Sequence, residues 1–459
     1  MTTPQAYGIV LLVAATTTFV CTPLFRRLAF RVGAVQQPDE RRVHPRPTPV
    51  LGGAAMLVGF LAGMLVAAQL DVLDQIFTNS TEPLGLVIAA VLMLAVGTID
   101  DIRDVSAPAK MAGIVLCASV LVFLGISMSV FRVPFVGVIV LTPDLSYLLS
   151  VVWVLGMTNA INFIDGLDGL AAGIVAIAAG TFFLYTMQLL DLDILTDGNI
   201  APLVAVIVLG MCVGFLPFNF HPARIFMGDG GALLLGLLMA ASTMVVGGRV
   251  DQSVEFSGQT YFFFAPLFIP LFILGVPIFD TFLAIVRRAA KRKAPSAADN
   301  EHIHHRLVRL GHGQRRSVLI LWAWTALLSI LVLYPTYSDG KGNALVPVGI
   351  AALCLALYTV LHPGVRSMRA GRRAEIANGS VAAPTAGRDE TETETENGGE
   401  TETENGGGAA PAASEGGSER IDPPTAVPGV TPAEALAALD VPVRAARTAP
   451  APAPEPTES

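Results

Sequence analysis

Apolar runs of about 20 residues recur along most of this chain, broken by short polar or glycine-rich stretches, and that length matches the span of one membrane-crossing helix. Eleven such runs are predicted as helices, near 7–25, 50–70, 83–99, 111–131, 147–163, 170–190, 200–218, 231–248, 262–286, 317–335 and 344–362. Several are rich in Gly, Ala, Ser and Thr, which let helices approach closely in lipid. The pattern predicts an all-α polytopic membrane protein. Cys21, Cys117, Cys212 and Cys354 all fall inside apolar runs without metal-ligand spacing, and read as small core residues.

Composition agrees, with 53% hydrophobic and 14% charged residues over 459 positions. The pattern changes near residue 365, which divides a transmembrane domain, 1–364, from a tail, 365–459, of Gly, Ala, Pro, Thr and Glu with an acidic near-repeat at 390–399. Residues 375–459 hold 16 acidic and four basic side chains, a net charge of −12, so the overall −8 arises in the tail. Such a segment has too little apolar surface to offset its ordering entropy, and is expected to be a disordered cytoplasmic extension.

Basic residues set the expected orientation. With the N-terminus outside, the inner loops carry 22 Lys and Arg, and the outer loops only Arg132, Arg249 and Lys341. The first run has no basic residue before it and no small-residue cleavage site ahead of a soluble domain, so it reads as an N-out anchor and not a removed signal. No nucleic-acid motif is present, and topology accounts for the basic loops.

This orientation places every polar constellation of the body on one face. These are 38–53, Asp100-Asp101-Ile102-Arg103-Asp104, Asn159 to Gly169, Asn219 to Gly231, Asp280, and His302-Ile303-His304-His305-Arg306. Convergence of such distant segments predicts a single cytoplasmic active site. Carboxylates clustered as at Asp100 and Asp101 repel one another unless a cation joins them or one is protonated. Asn162, Asp165 and Asp168 sit where a helix must unwind, and oxygen donors there suit Mg²⁺, which takes one or two carboxylates plus substrate phosphate and water. Around Asp229 the glycines allow close backbone approach to a phosphate, and the helix that follows offers its N-terminus to an anion. The histidine run, with Arg306 beside it, reads as an anion clamp more than a zinc site.

Together, His44-Pro45-Arg46-Pro47-Thr48-Pro49 with Gly52-Gly53, Asp100-Asp101, the Asn159-x-x-Asn162-x-x-Asp165-Gly-x-Asp168-Gly segment, Phe226-Met227-Gly228-Asp229 and His302-x-His304-His305 resemble the polyprenyl-phosphate N-acetylhexosamine-1-phosphate transferase family (glycosyltransferase family 4). The likeness is nearest to its WecA-type branch and spans roughly residues 1–330. It implies a multi-pass bacterial plasma-membrane enzyme that transfers GlcNAc-1-phosphate from UDP-GlcNAc to polyprenyl phosphate and releases UMP, initiating cell-envelope glycan synthesis. It further implies Mg²⁺, with Mn²⁺ as a substitute, and a homodimer. By the family pattern Asn162 and Asp229 hold the metal, Asp165 and Asp168 help hold nucleotide, and Asp100 or Asp101 handles the proton of the lipid phosphate. His302, His304, His305 and Arg306 engage the diphosphate or sugar, Arg46 faces a phosphate, and Asn159 and Asn219 join the substrate-binding set. The related phospho-MurNAc-pentapeptide transferases carry a Lys-rich first loop and a His-His-His-x-Glu run, and both departures point to GlcNAc. A prenyltransferase would want a second Asp-rich motif, and a transporter would hold its ionisable groups near the bilayer midplane.

Overall fold

The computed structural model describes residues 1–37, 47–103, 105–133, 137–247, 313–338 and 345–361. All of them lie in the first of two units of the chain, Met1–Pro384; the second, Thr385–Ser459, lies outside the described residues, as do the expected helix at 262–286, Arg46, Asp104, Asp280 and the run His302 to Arg306.

The other ten apolar runs are all helical. They form α1 (Thr3–Val32), α2 (Gly52–Ala67), α4 (Glu82–Arg103), α5 (Ala107–Phe123), α6 (Pro143–Ile164), α7 (Leu170–Asp191), α8 (Ala201–Asn219), α9 (Gly228–Gly247), α10 (Gly313–Tyr337) and α11 (Leu345–Leu361), with the short α3 (Asp74–Thr78) after α2. Among the described residues seven helices are long and apolar enough to cross a membrane, and α2 with the short helices after it forms an eighth candidate bent by 97°. The chain is therefore an all-α polytopic membrane protein. α5 is shorter than its apolar run: it stops at Phe123, Gly125 takes φ +103°, and the run ends in strand. That strand, β3 (Val130–Val133), pairs antiparallel with β4 (Gly137–Val140), since β-branched residues suit strand as well as lipid. A smaller ribbon joins β1 (Val35–Gln36) to β2 (Thr48–Pro49) and returns the chain from α1 to the start of α2.

Helix α9 is the centre of the bundle. Of its most apolar 18-residue stretch 94% is buried, against 22% for α1, and it packs on α2, α4, α6 and α8. Small residues allow this crowding. A Cβ added at Gly53 would lie 2.4 Å from the amide nitrogen of Gly231, and one at Gly97 would lie 2.4 Å from the Cα of Gly230. Backbones this close gain dispersion contacts that larger side chains would prevent. The start of α9 is thereby pressed between the start of α2 and the end of α4.

Candidate active site

The site is made of helix ends. The last turns of α4, α6 and α8, the first turns of α5 and α9, and the turn before α7 supply its side chains. Asp101 reaches from α4 to the start of α9, where its Oδ1 accepts the amide of Asp229 at 2.8 Å and its Oδ2 that of Gly230 at 3.2 Å. Helix starts carry unsatisfied N–H groups and partial positive charge, so a carboxylate is well placed there. The anion at the start of α9 is thus the protein's own, where the sequence suggested a phosphate. Gly228, at φ +69°, is required by this contact: a Cβ there would stand 2.4 Å from Asp101 Oδ2 and 2.5 Å from the carbonyl of Val50.

Asp100 points elsewhere. Its Oδ1 accepts the amide of Val105 at 2.9 Å, and its Oδ2 meets the ammonium of Lys110 at 2.7 Å. Lys110, from the first turn of α5, also contacts the Asp229 carboxylate, so one cation joins two of the expected carboxylates. Asn162 lies beside Asp229, and its side-chain nitrogen is buried without a hydrogen-bond partner among the described residues. Asp165, just past the end of α6, has its carboxyl pushed well above the usual carboxylate range, first by burial and then by the negative charges of Asp229, Asp101 and Asp168. Asp229 keeps 36% of its side chain exposed, which leaves the cluster an open side.

A second layer holds this cluster in place. Asn219, 2% exposed, accepts the amide of Gly169 at 3.1 Å and donates to the carbonyl of Ile225 at 3.1 Å, tying the turn before α7 to the loop that leads into α9. The Asp168 side chain is 0% exposed, and its Oδ2 accepts from His221 Nδ1 at 2.8 Å and from the amide of Ala223 at 3.0 Å. Both side chains are buried and tie the loops of the site together. Asn159 donates from Nδ2 to the carbonyl of Leu155 at 2.7 Å and lies near the sulfur of Met111; none of its hydrogen bonds reaches the carboxylates. The described part of the first loop joins through backbone hydrogen bonds and packing: Phe226 N–H donates to Pro49, Gly52 and Gly53 donate to Phe226 and Met227, and Phe226 packs with Val50 and Leu51.

The structure therefore brings together Asp100, Asp101, Asn162, Asp165, Asp168, Asn219 and Asp229, while Arg46, His302, His304, His305 and Arg306 lie outside the described residues. Sequence reasoning missed Lys110 and His221. Lys110 counted there only towards charge balance, although a lysine at the very start of an apolar run needs a partner. His221 stood within a segment whose Asp229 drew the attention.

Among the described residues no three His, Cys, Asp or Glu side chains converge to hold a metal by themselves. The cluster sets one fixed ammonium among carboxylates, so it can hold a cation through its oxygens and meet an anionic group through Lys110.

The family model described as "Glycosyl transferase family 4" matches residues 83–247, which include every described residue that gives a side chain to the carboxylate cluster. The chain is 39% identical over 359 residues to the decaprenyl-phosphate N-acetylglucosaminephosphotransferase of Mycolicibacterium smegmatis, covering 77% of this chain and 88% of that one. It is 37% identical over 320 residues to a probable undecaprenyl-phosphate N-acetylglucosaminyl 1-phosphate transferase of Bacillus subtilis, covering 70% and 82%. The phospho-N-acetylmuramoyl-pentapeptide-transferase of Desulforudis audaxviator is 31% identical over 353 residues, covering 71% and 96%.

Proposed function

Because the chain belongs to glycosyl transferase family 4, we propose that it transfers GlcNAc-1-phosphate from UDP-GlcNAc to polyprenyl phosphate, giving polyprenyl-diphospho-GlcNAc and UMP. An oxygen of the lipid phosphate attacks the β-phosphorus, the bond from that phosphorus to the oxygen bridging to the α-phosphate breaks, and that oxygen leaves with UMP. The observation that carries this reading is the partly exposed Asp229 at the start of the central helix, with Lys110, Asp100, Asn162 and Asp165 gathered around it.

Two anions must meet for this reaction, so positioning and charge balance supply most of the catalysis. Lys110 holds a positive charge at the meeting point. Asp100, held by Lys110 and by the amide of Val105, is placed to take the proton of the lipid phosphate. Asp101, committed to the start of α9, keeps Asp229 in position.

The donor set fits Mg²⁺, with Mn²⁺ as a substitute: Asp229 is a partly open carboxylate, and the Asn162 carboxamide beside it carries an oxygen of the kind Mg²⁺ binds. Asp229 and Asn162 would hold the ion, with substrate phosphate completing its oxygen shell. When bound, it would offset the negative charge shared by the diphosphate and the attacking phosphate.

The sugar follows from the relatives, since those named for N-acetylglucosamine are 37–39% identical and those named for the muramoyl-pentapeptide 28–31%. The finer topology belongs to the same reading: eleven spans, the N-terminus outside, and the site and acidic tail on the cytoplasmic face of a bacterial plasma membrane. The test is to incubate the purified protein with Mg²⁺, a polyprenyl phosphate and a panel of UDP-sugars while following UMP. Release of UMP with UDP-GlcNAc above the other sugars is expected. Turnover with UDP-MurNAc-pentapeptide alone would replace the proposed donor.

A further inference from the structure

His221 has one ring nitrogen engaged and one open. Nδ1 meets Asp168 Oδ2 at 2.8 Å, and a carboxylate with 0% exposure requires such a partner, because an unpaired buried charge is strongly unfavourable. The backbone is held as well: Arg315, in the first turn of α10, donates from Nε to the carbonyl of His221 at 3.1 Å. Ring and backbone are thereby fixed from two sides, by the turn before α7 and by α10.

The opposite edge of the ring faces outward. The His221 side chain is 31% exposed, and among the described residues Nε2 has no hydrogen-bond partner. Asn219, two residues before His221, accepts the amide of Gly169, so the imidazole stands against the turn that carries Asp165 and Asp168. A ring whose one nitrogen is fixed by a buried carboxylate presents the other in a defined direction. The guanidinium of Arg315 stands against the same loop and adds positive charge there.

We propose that His221 is a substrate-contacting residue of this site: carrying a proton on each ring nitrogen, it donates from Nδ1 to Asp168 and from Nε2 to a phosphate oxygen of a bound substrate. The inference rests on the phosphoglycosyl-transfer reading and deepens it. The phosphate has two sources, the nucleotide and the lipid, and kinetics distinguish them.

Two substitutions separate the two ring nitrogens. His221→Asn retains a nitrogen near the position of Nδ1, able to bond Asp168, and removes the outer donor. His221→Gln places its amide near Nε2 and weakens the bond to Asp168. A folded His221→Asn protein is expected to keep a wild-type thermal midpoint but to show a KM raised roughly tenfold or more for one substrate, the effect of one hydrogen bond to a charged group. His221→Gln is expected to melt lower and keep more of its affinity. A raised KM for UDP-GlcNAc, with weaker inhibition by UMP, assigns the contact to the nucleotide; a raised KM for polyprenyl phosphate assigns it to the lipid. Unchanged KM for both in folded His221→Asn overturns the proposal. Should neither variant fold, diethylpyrocarbonate labelling of His221 in the wild-type protein, read by peptide mass, decides: protection by UMP or polyprenyl phosphate supports the contact, and equal labelling with and without them overturns it. Wild-type protein that releases no UMP from UDP-GlcNAc would instead defeat the underlying reading.

Discussion

Asp101 and Asp229 lie against the same helix start and do different work. Asp101 accepts both amides at the beginning of α9, so its main effect is on position; Asp229 presents its carboxylate outward. Asparagine keeps one acceptor oxygen but sets its NH₂ against the second amide, so Asp101→Asn is expected to lower stability by about 1–3 kcal/mol and to keep only part of the activity, read by thermal unfolding and UMP release. Asp229→Asn is expected to lower turnover by roughly a hundredfold or more, because it would loosen the ion proposed to balance transition-state charge, with little change in thermal midpoint. Near-normal turnover of Asp229→Asn at low Mg²⁺ would move the metal to other residues. Asp165 gives a pH signature. Its folded pKa lies above the ordinary 3.8, so between those values the folded protein binds more protons than the unfolded chain, and stability falls as pH rises through that window. Metal-free protein should therefore melt at lower temperature as pH rises from 3.8 through the raised value, and Asp165→Asn should flatten that slope. Equal slopes for the two proteins would remove Asp165 from the cluster. The sequence marked these carboxylates because ionisable groups at the end of an apolar run are conspicuous. Lys110 and His221 were less legible because each matters through its contacts, with Asp100 and Asp229 or with Asp168, and those contacts join helices far apart in the chain.

Close helix packing sets the position of the start of α9. Gly97 in α4 faces the backbone of Gly230, whereas a Cβ at Gly156 in α6 would meet nothing within 4 Å. Gly97→Ala is expected to reduce stability by about 1–3 kcal/mol through overpacking, and to lower activity because Asp101 and Asp229 move apart. Gly156→Ala should be neutral or slightly stabilising, since alanine favours helix. Thermal unfolding and UMP release on both variants check this, and equal behaviour would show that the Gly97 contact does not constrain the site. Helix positions were readable from run length and period, because a helix that must satisfy every backbone group in lipid needs about 20 apolar residues. The run at 111–131 shows where that reading fails. An apolar stretch records burial and does not by itself separate helix from strand, and here Val130–Val133 pairs with Gly137–Val140.

At the scale of the whole molecule, charge divides the chain into a membrane body of net +4 over residues 1–374 and a tail of net −12 over 375–459. The tail has no apolar periodicity with which to build part of a site, so deletion of 380–459 is expected to leave turnover within about twofold. A truncated protein that folds but loses most of its activity would give the tail a part in the reaction. The family was legible because five short motifs occur in one order, each carrying groups suited to phosphate or metal. The roles of single residues depended on which helix ends meet. The central claim is that the bond broken lies between the two phosphates of the nucleotide sugar, and the fate of the β-phosphorus tests it most directly. With UDP-GlcNAc radiolabelled at the β-phosphate, wild-type protein and polyprenyl phosphate should carry the label into the lipid fraction in step with UMP release. Label retained in water-soluble UDP, with sugar alone moving to lipid, would contradict the account.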